Sequence, residues 1–265
     1  MHISGTVKGS NMELYIGNET EQNRRFGLSS MALHVLAMLL MLSDHLWGTV
    51  VHGNDWMTCI GRLAFPIFAF LTVEGFFHTK NLKRYMGRML IFALISEIPF
   101  NLMLSGSLIY PFHQNVLWSF LISLGLMWIN EKAQAKKKWW LNLLTAAGTL
   151  LLGWFLGLIS FADYYQAGVM MTMAFYFFHG KKWWHYAGQL LAMIYINFYM
   201  GGMVYEFMLF GKEMSFPQQG FAIFALIPIW LYNGQKGTQS KWLKWFNYAF
   251  YPVHMLVLWL VMLIA

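Results

Sequence analysis

Nine long apolar segments, joined by short polar connections, constrain this chain more than any other feature. Several of them approach the roughly 20 residues that a helix needs to cross the hydrocarbon core of a bilayer. They do not alternate apolar and polar residues as the strands of a transmembrane barrel do. The pattern predicts an all-α, polytopic membrane bundle of about nine helices, at residues 31–51, 57–77, 86–104, 114–129, 140–161, 165–179, 184–206, 218–232 and 246–265.

The composition excludes a soluble globular enzyme. Of the 265 residues, 58% are hydrophobic and only 11% are charged, whereas roughly 25% are charged in a typical soluble domain. The 13 Trp and 13 Tyr residues suit the aromatic belts that form at the two membrane interfaces. A single cysteine, Cys59, excludes an intrachain disulfide and a cysteine-based metal site.

The basic residues predict which way the chain crosses the membrane. All but two of the 18 Lys and Arg residues lie in the first 28 residues or in every second connection; the exceptions are Arg62 and Lys212. Because basic loops stay in the cytosol, we expect residues 1–28 to be a polar cytosolic tail. Residues 29–265 then form one transmembrane domain of the bacterial cytoplasmic membrane, with its C-terminus outside.

The same basic connections limit the partners that the chain can have. Their simplest role is contact with anionic lipid headgroups, and binding of a cytosolic polyphosphate is a sharper alternative. Nucleic acid is not expected, because no folded basic domain presents a continuous groove.

Ionisable and polar groups from five separate elements fall at one depth, toward the outer side. Such groups are costly inside a membrane, so each is a functional candidate. They form either a set of structural ion pairs, such as Arg62 with Asp44 or Glu97, or a genuine site. The members are Asp44 and His45, Arg62, Glu97, the run His113, Gln114 and Asn115, and the pair Asp163 and Tyr164.

A histidine held by a carboxylate from another helix is suited to act as a general base or to activate a nucleophile. An arginine or a side-chain amide can stabilise an oxyanion. Zinc is a rival use of the same residue types, but no HxxxH or HExxH spacing is present, so no metal is predicted. We predict His45, Asp44, Arg62 and Glu97 as catalytic, and His113, Gln114, Asn115, Asp163, Tyr164 and His254 as substrate-binding.

A second histidine, His34, shares a helix face with His45. His34 lies eleven positions before His45, which advances a helix by about three turns plus 20° and separates the two side chains by about 16 Å along the axis. One face would then carry a histidine near the cytosol and another toward the outside, as in the lining of a tunnel. A lone histidine at the position of His34 is more often an interfacial residue.

Several motifs resemble the TraX family, in the family's order and over roughly residues 30 to 260. The resemblance implies a membrane acyltransferase, because the family's named member N-acetylates F-type pilin. The family is also distantly similar to transmembrane acyltransferases that modify envelope sugars and carry a basic residue about ten positions before a first-helix histidine. Here that spacing falls on His34 and His45. The motifs are LSDH (42–45), GRLAFPIFAF (61–70), VEGFFHT (73–79), LISEIPF (94–100), HQNV (113–116), ADY (162–164) with GV (168–169), LYNG (231–234) and YPVHM (251–255).

These inferences predict an enzyme that moves an acetyl or short acyl group from cytosolic acyl-coenzyme A to an amine or hydroxyl at the outer face. The acceptor is expected to be an envelope glycan or a protein, with a pilin-like N-terminus as one candidate. The alternatives are a small-solute transporter or flippase that uses the polar groups as a pathway, and a non-catalytic assembly factor. The residues expected on the donor side are His34, Lys80, Lys83, Arg84 and Arg88.

Overall fold

A computed structural model describes residues 26–200, 203–209, 212–238 and 240–264. The predicted cytosolic tail, residues 1–28, lies almost entirely outside them. The helices are α1 Ser30–Thr49, α2 Trp56–Gly61, α3 Ala64–His78, α4 Leu82–Ser105, α5 Leu117–Gln134, α6 Trp139–Ile159, α7 Tyr165–Phe177, α8 Trp183–Tyr199, α9 Leu226–Trp230 and α10 Lys241–Met262, with strands β1 Val204–Leu209 and β2 Lys212–Pro217 and a 3₁₀ helix at Gln218–Ala225.

The prediction of a predominantly helical membrane protein is confirmed. Within the described residues, five helices are long and apolar enough to cross a membrane: Ser30–Thr49, Trp56–His78, Leu82–Ser105, Trp139–Ile159 and Trp245–Met262. The other four predicted segments form helices that are shorter or less apolar. Helix length therefore supports several crossings without establishing nine.

Side-chain caps explain where α1 and α4 begin. Ser29 Oγ accepts a hydrogen bond from the backbone N–H of Ala32 at 3.2 Å, at the start of α1. Asn81 Oδ1 accepts from the N–H of Arg84 at 2.9 Å, at the start of α4. Ser and Asn are favoured at these positions because their oxygens satisfy N–H groups that have no partner within the helix.

The second predicted segment is broken by a short turn at Arg62 and Leu63, between α2 and α3. Gly61, just before the turn, packs directly against α1, where an added Cβ would lie 2.5 Å from Asp44 Cβ. Glycine is therefore needed for this close approach. The break and the approach together bring Arg62 beside Asp44.

Helix α3 lies at the centre of the bundle and α6 at its edge. Ile67, Ala69 and Val73 of α3 are completely buried, and this helix packs against α1, α5 and α7. On α6, by contrast, large apolar side chains such as Leu144 and Leu151 are exposed. An exposed apolar helix face of this length fits a lipid environment.

The helix ends gather into two groups that differ in charge. One group, which we call the basic end, holds the connections 79–81, 135–138, 178–182 and 231–240, and carries most of the lysines and arginines. There the chain before α1 pairs with the chain after α9, since Leu28 N–H donates to Leu231 O and Ser30 N–H to Gln235 O, each at 2.8 Å. We call the other group, which holds the connections 50–55, 106–116 and 160–164, the polar end.

A β-hairpin at the polar end was not predicted. The helix expected over 184–206 ends at Tyr199, and β1 pairs antiparallel with β2, with Val204 opposite Pro217. Three of the six residues of β1, Val204, Tyr205 and Phe207, are β-branched or aromatic and favour strands. Two glycines, Gly201 and Gly202, precede them and disfavour continuation of the helix.

Candidate functional site

Two histidines from distant parts of the chain meet between α1 and α10. His45 Nδ1 lies 2.7 Å from His254 Nε2, and the two rings stack with their centroids 4.9 Å apart. His254 Nδ1 lies 2.7 Å from the carbonyl oxygen of Phe250. A carbonyl oxygen only accepts hydrogen bonds, so Nδ1 of His254 carries its proton and Nε2 is the acceptor.

This arrangement defines the tautomer of His45. Because His254 Nε2 accepts, His45 Nδ1–H is the donor, and the lone pair of His45 lies on Nε2. The sequence led us to expect a carboxylate in the orienting position, from Glu97 or Asp163. The structure places a second histidine there instead. His45 Nε2 is therefore the basic atom of the pair.

The residue before His45 makes an ion pair. Asp44 Oδ2 accepts from Arg62 Nη2, and Asp44 Oδ1 accepts from Thr58 Oγ1 at 2.7 Å. Arg62 also lies over the ring of Tyr164, 6.0 Å from its centroid. Among the described residues, Arg62 Nε has no hydrogen-bond partner. The predicted pairing of Arg62 with Asp44 is present, and the buried Nε–H of the guanidinium remains available to a further partner.

Glu97 is held by two side chains at the start of α5. Its Oε2 accepts from Asn115 Nδ2 and from Trp118 Nε1 at 3.0 Å. Asn115 is fully buried; its Nδ2 also donates to Ala93 O at 2.8 Å, and its Oδ1 accepts from Leu117 N–H at 3.1 Å. The amide expected to stabilise an oxyanion is thus occupied in holding Glu97, whose Oε1 finds no partner in the part of the chain described.

Two loops meet beside these groups. Asp163 N–H donates to Gln114 O at 2.8 Å, and Gln114 N–H donates to Phe161 O at 2.7 Å. The side chain of Gln114 instead donates to Tyr110 O at 3.2 Å. Gln114 therefore joins the loops through its backbone, and its side chain does not face the other predicted site residues.

His113 and Asp163 form a partly exposed pair at the polar end, with Nε2 and Oδ1 3.4 Å apart. The hydrogen bond to Asp163 raises the pKa of His113 above the ordinary 6.5. The stabilisation from this pair is fully present below pH 6.5 and is lost as the pH rises through the raised pKa.

Asp163→Asn is expected to lower the pKa of His113, because the amide carries no charge to favour the imidazolium. Histidine-selective NMR titration of the protein in lipid nanodiscs measures it, with His113→Gln to assign the signal. Gln114→Ala, next to His113 in the chain, serves as the control. An unchanged pKa in Asp163→Asn would show that the pair does not form in the membrane.

The residues predicted as catalytic or substrate-binding thus lie in one cluster, apart from the side chain of Gln114. Asp163 lies within electrostatic range of both His45 and Arg62, and Tyr164 stacks on Phe65 with centroids 4.2 Å apart. No group of three or more His, Cys, Asp or Glu within the described residues is arranged to hold a metal ion. We call these residues the polar cluster: Asp44, His45, Arg62, Glu97, His113, Asn115, Asp163, Tyr164 and His254.

A cavity of about 490 Å³ leads from the basic end toward the histidine pair. Ser30 and Met41 both line it, and their separation of eleven positions on α1 corresponds to about 16 Å along the axis. Met41 lies one turn before His45. Phe250 also lines the cavity and stacks on His254 with centroids 4.8 Å apart. The inner end of the cavity therefore lies about one helical turn from both histidines.

Of the residues predicted for the donor side, only some lie on the wall of this cavity. His34 and Arg88 line its wall. Lys80, Lys83 and Arg84 are exposed at the basic end and are not among the lining residues. Lys236, which the sequence assigned only to topology, does line it. The position of Lys236 in a basic connection could have made it a candidate for this wall. Nothing in the sequence, however, indicated that this connection packs against the start of α1.

Glu74, which had no assigned role, lies on the cavity wall near the basic end. Its Oε1 lies 2.6 Å from His179 Nε2, and the hydroxyl of Tyr232 also contacts the carboxylate. His179 stacks on Phe77 with centroids 4.2 Å apart. Glu74 therefore ties α3 to the connection after α7 and to the chain after α9, which shapes the mouth of the cavity.

Comparison with known proteins identifies a family and a relative that matches over part of its length. The sequence model of the TraX family, described as "TraX protein", matches residues 29–262. A stretch of 79 residues is 34% identical to the "Probable fimbrial assembly protein FimC, serogroup H1" of Dichelobacter nodosus. That stretch is 28% of this chain and 32% of the relative, so the match spans about a third of the relative's length. No solved structure matches the chain.

Proposed function

The chain belongs to the TraX family, and from this we propose that it is a membrane acyltransferase that acts in the assembly of a pilus or fimbria. The observation that carries the proposal is the cavity that ends one helical turn from the paired histidines. A donor entering from the basic end would present its reactive group to His45.

The proposed orientation has nine crossings with the basic end in the cytosol, as the positive-inside rule requires. Acyl-coenzyme A, which is made in the cytosol, then reaches the mouth of the cavity. Arg88 and Lys236 line that mouth and can pair with its phosphates. The pantetheine arm of acyl-coenzyme A is about as long as four or five extended peptide units, on the order of 15 Å. This length matches the depth of the cavity.

The proposed reaction is a direct transfer. The acceptor's amine or hydroxyl approaches from the polar end and attacks the thioester carbonyl while His45 Nε2 takes its proton. Arg62, whose Nε has no partner among the described residues, can stabilise the negative charge that develops on the carbonyl oxygen. The C–S bond then breaks, and His45 returns the proton to the departing sulfur.

The polar end also suits a cationic acceptor. Glu97 Oε1 is buried without a partner in the described chain, and the His113–Asp163 pair is partly open to solvent. Carboxylates placed at this end attract an ammonium group. Together with the fimbrial name of the partial relative, this favours the N-terminal amine of a pilin-like protein over a glycan hydroxyl.

The proposed orientation can be tested by cysteine labelling. In a Cys59→Ala background, a membrane-impermeant maleimide should label Ser107→Cys in intact cells, because Ser107 is exposed at the polar end. Ala135→Cys, exposed at the basic end, should react only after the membrane is permeabilised. The reverse pattern would place the cavity mouth outside and contradict the use of a cytosolic donor.

The proposed activity can be tested by mass spectrometry of envelope proteins and glycans from cells with and without the intact gene. In cells with the intact gene only, we expect the mass of a pilin-like N-terminus to increase by that of one acetyl group. A transporter or flippase would instead change the distribution of a solute and leave these masses equal. A non-catalytic assembly factor would also leave them equal, and would keep its function in a His45→Ala variant.

A further inference from the structure

A serine on the wall of the cavity has an unusual environment. Ser96 of α4 is completely buried and lines the cavity. Buried helical serines commonly donate to the carbonyl one turn back, as Ser123 does to Ser119 O at 2.8 Å. Ser96 Oγ has no hydrogen-bond partner in the described part of the protein. A buried hydroxyl without a partner is costly, so its presence in a cavity wall points to a ligand.

An asparagine on the same wall repeats this feature. Asn247 of α10 lines the cavity, and its Nδ2 donates to Met31 Sδ at 3.3 Å. Its Oδ1 is buried and has no partner within the residues that the structure describes. A hydrogen-bond donor group on a ligand in the cavity would satisfy it.

The two side chains lie at successive depths. Helices α4 and α10 pack in parallel, because Phe92 stacks on Tyr248 at 4.8 Å and, farther along both helices, Phe100 clusters with Met255. Asn247 precedes Tyr248, whereas Ser96 lies one turn beyond Phe92. The offset of about five residues places Ser96 about 7 Å deeper than Asn247 along the helix axes.

We propose that Ser96 and Asn247 bind the amide-containing pantetheine arm of the acyl donor. This rests on the proposed function, and it assigns two positioning residues that select for a pantetheine-linked donor. Asn247 Oδ1 accepts from an amide N–H of the arm near the mouth. Ser96 Oγ donates to a carbonyl oxygen of the arm at the inner end, next to the thioester.

The remaining lining supports an arm of this chemistry. Met38, Leu71, Phe120 and Val116 give the cavity largely apolar walls, which suit methylene and methyl groups. In such surroundings the few polar atoms determine the register of a ligand. An acyl phosphate lacks amide groups, and a lipid-linked donor would place hydrocarbon at both polar positions.

The experiment measures competition against radiolabelled acetyl-coenzyme A by purified protein in nanodiscs. S-acetyl-pantetheine and adenosine bisphosphate serve as separate probes for the arm and the nucleotide. Ser96→Ala and Asn247→Leu should each weaken binding of S-acetyl-pantetheine about three- to tenfold, the usual effect of one neutral hydrogen bond. Binding of adenosine bisphosphate should not change.

Matched controls separate this role from a structural one. Ser123→Ala and Asn142→Leu alter a buried serine and an asparagine with an unpartnered Oδ1, neither of which lines the cavity, and should leave both probes unaffected. Because Ser96 Oγ makes no hydrogen bond among the described residues, Ser96→Ala should unfold at the same temperature as the wild type, or higher, without ligand. The stabilisation that S-acetyl-pantetheine confers should be smaller for Ser96→Ala than for the wild type.

Two outcomes would overturn the assignment. Equal affinity of S-acetyl-pantetheine for wild type, Ser96→Ala and Asn247→Leu would remove the two residues from donor binding and leave the proposed function standing. Failure of the wild type to bind acetyl-coenzyme A at all would overturn the proposed function and this inference together.

Discussion

Replacing His45 with alanine is expected to abolish acyl transfer while the protein still inserts and binds its donor. A general base in this position contributes roughly 10²–10⁴-fold to the rate. His45 is the histidine whose Nε2 lone pair remains available, because Nδ1–H is engaged by His254. The measurement is the rate of acetyl transfer by purified protein, supported by donor binding in the same sample.

Three other histidines calibrate this result. His34→Ala should weaken donor use without abolishing turnover, because His34 lines the cavity at a distance from the pair. The transfer activity of His254→Ala should lie between those of His45→Ala and His34→Ala. This substitution frees the ring of His45 but does not remove its basic nitrogen. His52→Ala, at an exposed position after α1, should have no effect. Full activity of a well-folded His45→Ala protein would end the assignment.

Removing Arg62 is expected to cost the largest amount of stability of any single change in the polar cluster. Arg62→Met leaves Asp44 as a largely buried carboxylate without its cation, and breaking a buried pair in this way costs about 3 kcal/mol or more. The measurement is the free energy of unfolding in mild detergent. Transfer activity should fall as well, because Arg62 is also the proposed oxyanion donor.

The double variant Asp44→Asn/Arg62→Met separates the two effects. With both charges removed, most of the lost stability should return, as it does when buried ion pairs are replaced together. Activity should stay low, since the guanidinium is still missing. Additive losses of stability would contradict a direct pair, and recovery of activity would contradict the oxyanion role.

The positions of several long helices were predicted well from the sequence, because the length of an apolar run and the positions of charges are local signals. The segments that became α1, α4, α6 and α10 were predicted within a few residues of their limits, except at the start of α4 and at both ends of α10. Because several elements shared one expected depth, most members of the polar cluster were also identified. Asp44 and Arg62 were even proposed as partners, and the structure pairs them.

The unpredicted features depend on contacts between distant parts of the chain. His254 lies 209 positions from His45, and no periodicity connects them. Asn115 was predicted to bind the substrate. Its bonds to Ala93 and Glu97 could not be foreseen, because they depend on how α4 packs against α5. The hairpin of β1 and β2 was overlooked because the residues at the start of β1 are apolar enough to prolong α8 on a hydropathy scale.

The lining of the cavity was predicted least well, because the sequence does not show which basic residues of a connection face the interior. Lys80, Lys83 and Arg84 follow the same charge pattern as Arg88, yet only Arg88 lines the cavity. Lys236 reaches it because the chain after α9 pairs with the chain before α1, where Met31 N–H donates to Lys236 O at 3.2 Å. Ser96 carried no signal at all.

The most direct test of transfer across the membrane uses vesicles of defined orientation. The protein is reconstituted with its basic end outward, radiolabelled acetyl-coenzyme A is added outside, and a peptide with a free pilin-like N-terminus is enclosed within. We predict acetylated peptide inside the vesicles and an equal amount of free coenzyme A thiol outside, with neither product from His45→Ala protein. Acetyl-coenzyme A that stays intact in the presence of well-folded protein and enclosed acceptor would contradict the assignment of this chain as an acyltransferase.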